Sequence, residues 1–112
     1  MRAERVAAQL AKELSVIVSR EVNDPRLGFV TITKVFLTPD LKNAIIFFTT
    51  MGDKKSDLKT LEHAKGFVRT LLAQRVSLRF IPEIEFRLDE SYEYEQKMEK
   101  LFEQLDKDHK KE

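Results

Sequence analysis

Apolar residues return at three- and four-residue steps along the first stretch of the chain: Val6, Leu10, Leu14, Ile17 and Val18. No glycine or proline interrupts residues 2–22, so the spacing predicts one amphipathic helix there. Asn23-Asp24-Pro25-Arg26 should stop it, because the residue before a proline avoids the α region. Gly28 then opens residues 29–37, rich in β-branched and aromatic side chains and therefore a predicted strand. In Thr38-Pro39-Asp40-Leu41-Lys42 the proline presets a turn and the aspartate can bond its own backbone. Residues 44–50 form a second predicted strand, apolar enough to be central in its sheet, and the two strands read as a hairpin.

After a polar loop at 51–56, Ser56 is the expected cap of a helix reaching about Ala64. Leu61, Ala64, Val68, Leu71 and Leu72 continue the helical spacing, yet Gly66 stands inside the run. A glycine there costs about 1 kcal/mol relative to alanine. It calls for a bend between two short helices, or for another backbone coming close. A straight helix would also carry Arg75 onto the apolar face between Ala64 and Val68, so the pattern predicts both a bend and a stop near 75 or 76. Residues 83–88 alternate, with Ile84, Phe86 and Leu88 on one face, and predict a third strand. Tyr94, Met98, Leu101, Phe102 and Leu105 form the stripe of a last, highly charged helix, expected to fray over residues 109–112.

The resulting order, α-β-β-α-kink-α-β plus a C-terminal helix, is that of an α+β domain: a three-stranded mixed sheet with helices on one face. Its expected extent is 1–92, with 93–112 as a charged amphipathic helix or tail.

Composition narrows the chemistry. The 112 residues suffice for one domain with an ordinary core. There is no cysteine, and the two histidines, His63 and His109, lie far apart, which removes thiol nucleophiles, disulfides and the common metal clusters. No apolar run approaches about 18 residues and the N-terminus leads directly into an amphipathic helix, so no membrane span is expected and the cytoplasm is the expected location. His63 has no nucleophile near it in sequence. Glu83, Glu85, Asp89 and Glu90 alternate along a strand end and could imitate an acid/base pair, but no glycine-rich phosphate loop accompanies them. No catalytic residue, cofactor or metal ligand is assigned. Among the aromatic residues, Phe47 and Phe48 are expected in the core, while Phe29 and Phe36 could offer stacking surfaces.

The net charge of +1 conceals an asymmetry. Residues 1–87 hold 15 Lys/Arg against 10 Asp/Glu, whereas residues 88–112 hold 5 against 9. Lys65, Arg69, Arg75 and Arg79 edge the kink. Cationic side chains and helix N-terminal amides both favour anions, which makes an RNA phosphate backbone the first partner to consider. The candidate RNA-binding residues are Lys65, Gly66, Arg69, Arg75, Arg79, Arg26 and Lys42.

Several runs, in order, resemble one bacterial family. They are Arg5-Val6, Glu13-Leu14, Asp24-Pro25-Arg26-Leu27-Gly28, Thr31-Ile32-Thr33, Asp40-Leu41, Ala64-Lys65-Gly66, Arg69, Leu78-Arg79, Pro82-Glu83-Ile84-Glu85-Phe86 and Asp89-Glu90-Ser91. Together they cover residues 5–92 and look like ribosome-binding factor A. The resemblance implies a single KH-like domain of the second type, with an Ala-x-Gly kink in place of the Gly-x-x-Gly loop. It also implies a monomeric factor that binds the immature small ribosomal subunit and its rRNA, aids rRNA 5′-end processing and supports growth in the cold, with assembly GTPases as further candidate partners. A Gly-x-x-Gly loop clamps about four single-stranded nucleotides. Ala64-Lys65-Gly66 is too short for that clamp, so recognition of rRNA shape and phosphates is the expected mode. The alternative is a protein–protein adaptor acting through the amphipathic C-terminal helix.

Overall fold

A computed structural model describes residues 2–110. Helix α1 (Arg2–Val16) continues into one wider turn, Ile17–Glu21, closed by the Val22 N–H donating to the Ile17 carbonyl at 3.0 Å. That extra residue lets Ile17 and Val18 both enter the core. Strand β1 (Val30–Leu37) and strand β2 (Asn43–Thr50) pair antiparallel, with a register shift between Ile32 and Lys34. Strand β3 (Glu83–Leu88) pairs parallel to β2, giving the order β1-β2-β3. A parallel neighbour requires a crossover, and helices α2 (Lys54–His63) and α3 (Lys65–Arg75) supply it. Helix α4 (Ser91–Lys110) completes the chain. The α+β class, the mixed sheet and the central place of β2 are all as the pattern predicts.

Ala44, Ile46 and Phe48 of β2 point the same way as Val35, Leu37, Ile84 and Phe86, and all are buried. Leu10, Leu14, Ile17, Leu61, Val68 and Leu72 cover them from the helices. The rings of Phe48 and Phe86 meet edge to face, with centroids 6.5 Å apart. Phe47 does not join this core. Successive strand residues face opposite ways, so with Phe48 buried Phe47 must lie on the open face beside Lys34 and Arg87.

The connection at 38–42 behaves as its residue types predict. Asp40 accepts hydrogen bonds from the Thr38 hydroxyl (2.7 Å) and the Lys42 N–H (3.0 Å), which hold its carboxyl below the usual range. Leu41 adopts φ 63°, the only positive φ among the described residues.

Helix α4 leaves the body. Most of its stripe is open to solvent, with Tyr94, Leu101, Phe102 and Leu105 exposed and Met98 half-buried, and the molecule measures 63 × 38 × 18 Å. Of the expected fraying at 109–112, residues 111 and 112 lie outside the described residues. Among the described residues no helix is long and apolar enough to cross a membrane.

Candidate nucleic-acid interface

Asp53, and not Ser56, caps α2: its carboxylate accepts the Ser56 N–H at 2.8 Å. The helix therefore starts three residues earlier than expected. It ends at His63, and Ala64 (φ −83°, ψ −2°) forms the joint to α3. There the Ala64 N–H is shared between the carbonyls of Thr60 and Leu61, at 3.0 and 3.1 Å. The bend lets Leu61, Val68 and Leu72 all be fully buried while Arg75 turns out to reach Glu21.

Gly66 plays a different part from the expected one. It sits one residue into α3 without a positive φ, and a Cβ there would meet nothing within 4 Å. The bend belongs to Ala64, and among the described residues no other segment comes within 4 Å of where a Gly66 Cβ would stand. By contrast Gly28 and Gly52 do need to be glycines. A Cβ on Gly28 would stand 2.9 Å from the Gly52 Cα and 2.9 Å from the Asp57 carboxylate.

Of the predicted cations, most are already engaged by the protein itself. Lys65 pairs with Glu62 at 2.5 Å, and the other Glu62 oxygen accepts the Phe86 N–H of β3 at 3.0 Å. Arg69 donates through Nε to the Pro82 carbonyl (3.1 Å) and through Nη2 to the Ile81 carbonyl (3.0 Å). Together Glu62 and Arg69 fasten α2 and α3 along the β3 edge. Arg69 also takes Glu83 at 3.5 Å, and the Arg79 guanidinium stands 5.5 Å from the centre of the Phe80 ring. Arg75 is paired with Glu21 at 2.9 Å.

Arg26 remains largely exposed but folds back on Asp24, with contacts of 3.1 and 2.8 Å. Those bonds, with the Arg26 N–H, lower the Asp24 carboxyl to about 2. Lys42 is exposed and forms no ion pair among the described residues, while its carbonyl accepts the Glu83 N–H at 2.8 Å. Lys65, Gly66 and Arg69 share the first turns of α3, while Arg26 lines a groove with His63, Ala64 and Phe67 at the α2–α3 joint. Lys42 immediately precedes β2, its carbonyl paired with the first residue of β3, and Arg75 and Arg79 lie at the far end of α3 and beyond it.

Two further residues escaped the sequence reading. Asp57 is buried in the first turns of α2 and accepts hydrogen bonds from the Gly28 N–H (3.0 Å) and the Thr50 hydroxyl. It ties the 24–28 turn to the end of β2, a link across 29 residues that no local pattern announces. Phe67, next to Gly66, is half exposed on α3.

A family model described as ribosome-binding factor A matches residues 2–102. The chain belongs to that family. It is 46% identical over 110 residues to the ribosome-binding factor A of Staphylococcus carnosus, covering 96% of both chains. Among solved structures, the factor from Thermus thermophilus superposes with a TM-score of 0.72 at 27% identity, over 77% of this chain and 94% of that one. A Thermotoga maritima protein, a putative ribosome binding factor A, gives 0.69 at 32% identity, over 77% and 85%. A homology model of the Thermus thermophilus factor, fitted into a cryo-electron microscopy map of its complex with the 30S subunit, gives 0.66 at 27%, over 75% and 91%.

Proposed function

We propose that this chain is a non-catalytic assembly factor of the cytoplasm that binds the immature 30S subunit and its 16S rRNA precursor. It promotes late maturation and 5′-end processing of that RNA and leaves when maturation is complete. The fitted complex of a similar factor with the 30S subunit supports this choice of partner. The observation that carries the proposed site is Gly66: a helical glycine disfavoured by about 0.5–1 kcal/mol, with none of the described residues occupying the space it leaves. Such a position makes sense when a foreign backbone is the close neighbour. Ala64 cannot cap the first turn of α3 with its side chain, so amide dipoles there remain available to a phosphate.

Binding then proceeds by exchange of partners. Lys65 is one-third exposed in its pair with Glu62, and surface pairs of this kind are worth only about 0–1 kcal/mol. A phosphate can therefore take Lys65 from Glu62 at little cost and release counterions as it does so. Arg69 contributes chiefly by fixing the kink against β3, and Lys42 and Arg26 extend the cationic rim.

Co-sedimentation of the full chain with immature and mature small subunits tests this reading: preferential retention by immature subunits is expected, and equal or absent retention would overturn it. The logarithm of affinity should fall linearly with that of salt, by nearly one unit of slope per phosphate contact. Lys65→Ala combined with Arg26→Ala should flatten that slope by one to two such steps, and an unaltered slope in the folded variant removes this surface from the site. A second reading, a protein adaptor, is favoured only by the exposed α4 stripe, and partner binding that survives ribonuclease treatment would support it.

A further inference from the structure

The kink has two sides, and only one of them is free. Toward β3, the Phe86 amide is taken by Glu62 and the Ile81 and Pro82 carbonyls by Arg69, so on that side these backbone groups are already occupied by the protein itself. On the opposite side a groove of about 430 Å³ runs between the end of α1, the 24–26 turn and the α2–α3 joint. Asn23, Asp24 and Arg26 line one wall, and His63, Ala64 and Phe67 the other. The ring of Phe67 is 50% exposed here, immediately after Gly66. The Asn23 carboxamide and the His63 ring have no hydrogen-bond partner among the described residues.

We propose that this groove holds one unpaired nucleobase, stacked on Phe67 with its edge facing Asn23 and His63. The inference rests on the RNA-binding reading above and adds where a base, as distinct from a phosphate, is received. An exposed aromatic face in a mixed polar and apolar groove suits a flat heteroaromatic ring. It lacks the continuous apolar lining a protein helix would want. A carboxamide offers donor and acceptor side by side, the complement of a base edge. The neighbouring residue then accounts for the backbone of the same nucleotide. With no Cβ on Gly66, sugar and phosphate can lie against the first turn of α3 while the base turns toward Phe67. Arg26, at the rim, is available to the adjacent phosphate once released from Asp24. Because the β3 side is occupied, the strand enters from the α1 side, and one base, not a run of four, is read.

The test uses the full-length protein and a ten-nucleotide oligoadenylate, compared with an abasic strand of the same length. Phe67→Ala should weaken oligoadenylate binding about tenfold, the usual magnitude of one lost stack. Its salt slope should stay unchanged, because no charge is removed. Phe67→Tyr should bind within about twofold of the parent, whereas Phe67→Leu, apolar but not aromatic, should be as weak as Phe67→Ala. Thermal melting confirms that each variant is folded, which a half-exposed helical position permits. The inference is overturned if Phe67→Ala or Phe67→Leu binds as tightly as the parent, or if the parent prefers neither strand. If that happens while salt-dependent binding to immature small subunits persists, stacking is wrong and the RNA-binding reading stands. If the parent binds neither oligonucleotide nor subunit, both fall.

Discussion

Replacing Gly66 by alanine should strengthen the protein and weaken its function. The residue is the second of the 11 in α3, it has no positive φ, and its would-be Cβ meets nothing within 4 Å. No steric term therefore opposes the substitution, and the helix gains about 0.5–1 kcal/mol from the lower conformational entropy of the unfolded alanine. For a domain of this size that raises the melting midpoint by about 2–6 °C, readable by circular dichroism. The same methyl group would stand where the proposed phosphate backbone lies, so affinity for immature small subunits should drop at least tenfold, measured by sedimentation at fixed salt. The opposite signs make the experiment decisive. A midpoint that falls by more than about 2 °C would mean that some part of the chain packs on Gly66 after all. A midpoint that rises with affinity intact would mean that no partner reads the glycine.

Asp57→Ala should destabilise by about 2–5 kcal/mol, because the Gly28 N–H and the Thr50 hydroxyl each lose a buried acceptor; a midpoint within about 3 °C of the parent would refute the clamp. Gly28→Ala should cost about 1–3 kcal/mol in urea unfolding, since the new Cβ would lie 2.9 Å from both Gly52 Cα and the Asp57 carboxylate, and a neutral result would show that the turn can yield. The Asp24 carboxyl is lowered to about 2 from 3.8, so its bond to Arg26 is fully present above pH 4 and lost as pH falls toward 2. The Arg26 amide resonance should titrate with a midpoint near 2, and a midpoint near 4 would mean that the pair is absent in solution. Deleting residues 94–112 should leave the midpoint within about 3 °C, because the stripe of α4 is exposed; unfolding of the truncated chain would place α4 in the core.

What could be read from the residues, and what could not, divides along distance in the chain. The strands and α1 were legible because their periodicity is strong. The kink was legible because a straight helix would have buried Arg75. Phe47 could have been placed by the same alternation that buries Phe48. Asp53 could have been preferred to Ser56, since an acidic residue three places earlier can accept the Ser56 N–H and start the helix at Lys54. The Asp57 clamp, the contact of Gly28 with Gly52 and the Glu62–Phe86 bond had no local sign, because each joins segments that meet only once the sheet is formed.

The cations show the same limit in a form that bears on mechanism. Counting Lys and Arg around Gly66 suggests an open positive surface, yet Lys65, Arg69 and Arg75 each have an acidic partner within 3.5 Å, and Arg26 is held by Asp24. A bare patch would attract any polyanion over a distance of about one Debye length, roughly 8 Å at physiological salt. A patch of ion pairs is close to neutral at that range and becomes cationic only where a phosphate comes near enough to displace a carboxylate. Non-specific attraction is thereby reduced, while a phosphate already positioned by the shape of the RNA can still complete the exchange. Arg69 is the exception, since its bonds to Ile81 and Pro82 hold the kink against β3 and cannot be given up without loosening the surface that binds. Under the proposed function the division of labour would be that Lys65 and Arg26 exchange partners on binding while Arg69 stays, with selectivity coming from the fixed geometry between them.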